Sequence, residues 1–73
     1  MEIKNKLQKF FDKEIYSICK KDNLYYVVLS GPEFIKPVYE TDIDGKNIRE
    51  VGIPLPELEK MEVVYTKLSS SNL

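Results

Sequence analysis

The residues with the clearest chemical potential lie at Glu40-x-Asp42-x-Asp44-Gly45, three alternating carboxylates closed by a glycine. This spacing fits the first, third and fifth ligands of a calcium loop, with glycine at the sixth position. The twelfth position, where such a loop needs a bidentate glutamate, is Val51. The flanking segments also read as strands rather than helices. Asp-Gly between extended segments is turn chemistry, and a two-residue type I′ turn is expected, because both of its central residues need positive φ. No metal is expected here, nor a cofactor elsewhere.

Cys19 is the only thiol, and the chain has no histidine. An intramolecular disulfide and a Cys/His zinc site are therefore excluded, as are Ser-His and Cys-His catalysis. A reactive thiolate needs nearby cations or a helix N-terminus. On a strand, Lys20 points away from Cys19 and Lys21 enters the turn, so a half-buried apolar role is expected for the thiol. Gly31, Gly45 and Gly52 are isolated, so no phosphate-cradling loop is present. General acid–base chemistry would fall to carboxylates, lysines or tyrosines, and spacing brings no pair of them together. A carboxylate-based enzyme or metal binder is the least favoured reading; the expectation is a protein that is not an enzyme.

Tyr16, Tyr25, Tyr26, Tyr39 and Tyr65, interleaved with lysines, resemble the aromatic platforms on which single-stranded bases stack. The charge argues the other way. Residues 1–21 carry six lysines against three acids, a balance of +3, whereas residues 22–73 carry five bases against nine acids, a balance of −4. The segment expected to form the sheet is thus acidic, which opposes phosphate binding. A nucleic-acid accessory role is the disfavoured alternative. No apolar run approaches the length of a membrane helix, and Met1-Glu2-Ile3-Lys4 does not open a secretion signal. The lone thiol suits a reducing cytoplasm, and richness in Lys, Ile, Asn and Tyr suggests a bacterial or phage-like source.

The elements that must position these groups are short. Ile3, Leu7, Phe10 and Phe11 follow the i, i+4, i+7, i+8 spacing of an amphipathic helix over about 2–12, with Lys6, Lys9 and Lys13 opposite. A strand over about 15–20 then turns at Lys21-Asp22-Asn23 into a second strand, 24–30. The rival reading runs the first helix on to Lys20. A hairpin is preferred because the apolar run Leu24–Ser30 needs a neighbouring strand. Gly31-Pro32 stops this strand, and a third spans about 35–43, with Pro37 confined to an edge or bulge. A fourth, about 47–53, pairs with it so that Glu40 faces Arg49 and Val38 faces Val51. Pro56 can open a C-terminal helix over about 56–68, carried by Leu58, Met61, Val64, Tyr65 and Leu68. The same stretch contains Val63-Val64-Tyr65-Thr66, which has strand propensity.

The expected fold is α+β: a helix, a four-stranded antiparallel meander and a second helix, in one domain over 1–68 followed by a flexible tail at 69–73. Both helices are expected on one face of the sheet. In Leu24–Ser30, Leu24, Tyr26 and Val28 occupy one face, and Tyr25, Val27 and Leu29 the other. A strand apolar on both sides expects cover on both. The face of Tyr25, Val27 and Leu29, with Tyr16 on the adjoining strand, is therefore the candidate partner-binding surface. The functional expectation is a small interaction or regulatory module that binds a protein partner or a second copy of itself through the sheet, with no membrane role.

Overall fold

The computed structural model describes residues 2–31, 37–42 and 44–67, which form a small α+β unit around an antiparallel sheet. In chain order the elements are α1 (Glu2–Gln8), β1 (Ile15–Lys21), β2 (Leu24–Leu29), β3 (Val38–Asp42), β4 (Arg49–Val51), α2 (Leu55–Glu59) and β5 (Glu62–Thr66). Among these residues the sheet has five strands in the order β4-β3-β2-β1-β5. Residues 35, 36, 43 and 68, at the limits of expected elements, and the tail at 69–73 lie outside the described residues.

The first hairpin forms as its sequence suggests. Lys21 pairs with Leu24 across Asp22-Asn23, and Asp22 takes a positive φ of 56°, a conformation aspartate tolerates better than most residues. The apolar run becomes the middle strand of the sheet. A bulge between Ile15 and Ser17 lets Ile15 and Ile18 bury on the same side despite their spacing of three.

Helix α1 ends at Gln8 rather than near residue 12, and Gln8 itself shows why. Its Nε2 donates to the Lys13 carbonyl at 2.7 Å, while its Oε1 accepts the Ile15 amide at 2.9 Å. One side chain thereby turns the backbone from helix into strand. Phe10 and Phe11 donate their amides to Leu7 and Gln8 in a tighter last turn.

The second hairpin keeps the expected register, with Glu40 opposite Arg49 and Val38 opposite Val51, but its turn differs. The left-handed residues are Gly45, at φ 76°, and Asn47, at φ 52°; Asp44 is not among them. The Gly45 amide donates to the Asp42 carbonyl at 3.0 Å, and Asp42 Oδ1 accepts the Lys46 amide at 2.7 Å. A longer loop organised by the Asp42 side chain thus replaces the two-residue type I′ turn. Gly45 also has little room for anything larger: a Cβ there would stand 3.2 Å from Phe10 Cε2 and 3.3 Å from Leu7 Cδ2.

The largest departure is at the C-terminal end. The helix expected over 56–68 is a single turn, Leu55–Glu59, and the chain then re-enters the sheet as β5, antiparallel to β1. The helical stripe Leu58–Met61–Val64–Tyr65 competed with the β-branched run Val63–Thr66. The free edge of β1 decided the outcome, because a strand there gains a hydrogen-bonded neighbour that a helix would forgo. A bulge in β5 turns Val64 and Tyr65 together toward α1 and leaves Val63 on the other side.

The two helices lie on opposite faces, not on one. Leu7 of α1 packs with Ile15, Ile18, Val27 and Leu29; Leu58 of α2 packs with Cys19, Tyr26, Val28 and Val38. The sheet therefore separates two small cores. This satisfies the two-sided apolarity of β2 within one chain.

Candidate interaction surface

The residues singled out by sequence divide between the two faces. Val27 and Leu29 are buried in the α1 core, and Tyr25 is half-buried against it. The premise that this face lacks an intramolecular lid is corrected: α1 and the turn after it supply one, including Phe11, whose ring lies 5.2 Å from that of Tyr39 at 50°. Tyr16 lies on the opposite face, half-buried, where it lines a groove.

That groove lies beside α2, on the β1–β5 side of the sheet. Its cover is one turn of helix, held by Leu58, which lies over Cys19 and Val28. Between α2 and the β1–β5 edge the floor is formed by Tyr16, Cys19, Val28 and Leu58, and the outer wall by Val63 and Thr66. Val63 is 55% exposed although its partner in the ladder, Cys19, is only 5% exposed. The groove measures about 230 Å³, below the roughly 300–1,000 Å³ of small-molecule pockets.

The two ends of the sheet are built differently. β4 has three residues, two of them Arg49 and Glu50, and Pro54 follows shortly after. Shortness, charge and proline are the usual means of blunting an edge. β5 is Glu-Val-Val-Tyr-Thr, β-branched and aromatic with one charge at its start. Among the described residues no strand pairs with its outer side.

The other constellations are absorbed by the fold. The Tyr26 hydroxyl donates to Glu40 Oε2 at 2.9 Å, and Arg49 Nε donates to Glu40 Oε1 at 2.9 Å. These three residues are successive cross-strand neighbours on β2, β3 and β4. The Tyr26 hydrogen bond, joined by that of Arg49, holds the Glu40 carboxyl below its ordinary pKa; burial, reinforced by Glu40, pushes the Tyr26 phenol up. The amide of Lys46, with Asn47 Nδ2 at 3.0 Å, holds Asp42 below its ordinary value. Each carboxylate is thus committed to its own sheet or loop, and no cluster of three potential metal ligands forms among the described residues.

Cys19 is buried in the α2-side core, and burial pushes its thiol pKa up, which disfavours the thiolate. Tyr16 and Tyr26 belong to one face, and Tyr25, Tyr39 and Tyr65 pack toward the other, so the tyrosines form no single platform. Lys6, Lys9 and Lys13 are exposed along α1 and the turn that follows it. No helix among the described residues is long and apolar enough to cross a membrane. Compared with known protein families, curated proteins and solved structures, the chain matches none.

Sequence reasoning missed Leu58, Val63 and Thr66 as surface-forming residues. Leu58 and Val63 were available as signals, but both were read as parts of one helix. Only the return of β5 to the sheet places them on either side of Cys19.

Proposed function

We propose that this chain is a small, non-enzymatic protein-interaction module that meets its partner along the β1–β5 side of the sheet. The observation that carries this reading is Val63, an apolar side chain left exposed on an unblunted edge strand beside an apolar groove. Partners that add a strand to an exposed sheet edge gain main-chain hydrogen bonds, while neighbouring pockets read alternate side chains. The groove and the edge offer both together. A contiguous apolar patch at a surface is where association is expected in a small domain. The commitment of Glu40 and Asp42 to structural hydrogen bonds, and the inert setting of Cys19, favour binding over catalysis. A bacterial or phage-like cytoplasm is the proposed setting, in keeping with the unpaired thiol.

A photo-crosslinking residue placed at position 63, with one at exposed Glu50 on the opposite edge as control, tests this reading. Discrete crosslinked products at 63 and none at 50 are expected. Equal yields at the two positions, or no product at 63, would remove the β5 side as the interaction surface.

A further inference from the structure

We infer that the partner at this surface is a second copy of the chain, paired antiparallel through β5 across a two-fold axis into a continuous ten-stranded sheet. This rests on the interaction reading above and names its occupant. The argument starts from charge. β5 begins at Glu62 and is followed directly by Lys67. An antiparallel pair of such strands brings the acidic end of one copy to the basic end of the other, at both ends of the interface. A parallel pair would set like charges side by side.

Lys67 is available for this exchange, because its bond to Glu14 at 3.1 Å joins two side chains that are each about half exposed, and such a pair contributes little. Between the charged ends lie only Val63, Val64, Tyr65 and Thr66, so no charge is forced opposite a like charge. The two Val63 side chains and the two grooves they border would lie on the same side of the joined sheet, near the axis. That contact would withdraw the most exposed apolar residue of the edge from water.

Assembly by this route also stops by itself. A two-fold contact uses the same edge of both copies and is closed. The remaining edges of the dimer are the two β4 strands, blunted by Arg49, Glu50 and their short length. The product is therefore a dimer and not a fibre.

Sedimentation velocity on the full chain over a dilution series tests this, with circular dichroism as the check on folding. The wild type is expected to sediment at twice the 8.5 kDa of one chain. Val63→Lys, at an exposed position, should keep its spectrum and weaken dimerisation by about tenfold or more, since it sets a charge in the apolar part of the contact. Glu62→Lys should weaken it less, and Glu62→Lys with Lys67→Glu should restore it, because the swap re-pairs both ends. A wild type that stays monomeric up to about 1 mM, the weak limit of useful affinity, overturns the inference. So does a dimer indifferent to both Val63→Lys and Glu62→Lys. In either case crosslinking at position 63 to a different protein would leave the broader interaction reading standing. Failure of crosslinking at 63 as well would end both.

Discussion

Cys19 on β1 pairs with Val63 on β5, setting a buried thiol beside an exposed valine across a single ladder. The contrast locates the boundary of the core. On the β2 side of Cys19, Tyr26 and Val28 pack with Leu58 of α2, and beyond it Val63 stands exposed. A thiol reagent gives a simple readout of that boundary. Cys19 should react far more slowly than a free cysteine at neutral pH and should become reactive only on unfolding. Rapid labelling of the native chain would show that the groove floor opens.

Leu58 of α2 is buried and packs that helix against the sheet. Leu58→Ala should cost about 2–5 kcal/mol, the usual range for emptying a buried leucine site. The loss should be uneven, because β5 follows α2 directly. Amide exchange is expected to accelerate first across 62–66, with β2 protected longest. Uniform loss of protection would show that the α2–β5 segment is not a separable unit.

Gly45 combines positive φ with close approach to Phe10 and Leu7. Gly45→Ala should destabilise the chain by about 1–3 kcal/mol through the backbone conformation, with a further contribution from those contacts. Denaturant titration measures this. A neutral result would mean that the loop relaxes away from α1.

Gln8 bridges the Lys13 carbonyl and the Ile15 amide. Gln8→Ala leaves the amide of a fully buried residue without its acceptor, at an expected cost of about 1–3 kcal/mol. Gln8→Glu keeps the acceptor and loses the donor, so it should fall between the two by thermal unfolding.

Stability should follow pH through Tyr26, Glu40 and Asp42. The two carboxyls have lowered pKa values when folded. Their contribution is present above the unfolded carboxylate value of about 4 and is lost as pH falls through the folded values. The raised phenol of Tyr26 works in the opposite direction. Its contribution is present below about 10 and fades as pH rises through the folded value. Thermal melts should therefore show a plateau between these limits. In Tyr26→Phe the alkaline fall should shrink, and the acid fall should shrink with it, since Glu40 loses its first donor.

The legible parts of this fold were those written in local chemistry. Asp22-Asn23 marked the first turn, Pro and Gly punctuation bounded β2, and the Glu40–Arg49 and Val38–Val51 pairs set the second register. What local pattern left undecided was settled by long-range pairing. Val63–Thr66 is strand or helix according to whether the edge of β1 is free, and no window of sequence contains that information. The same holds for Gln8, whose role requires Lys13 and Ile15 to be brought back to it. The candidate surface moved for this reason. Tyr25, Val27 and Leu29 were correctly read as an apolar row, but the lid over them is α1, while the groove on the far side is bordered by a strand that the sequence alone favoured as helix.

The most direct measurement is amide chemical shift across a dilution series of the full chain. The account predicts concentration-dependent shifts confined to 62–67 and to the groove residues Tyr16, Cys19 and Leu58, with the α1 core around Leu7, Val27 and Tyr39 unchanged. Shifts concentrated on the α1 face, or a spectrum of β5 that does not respond to concentration, would contradict it.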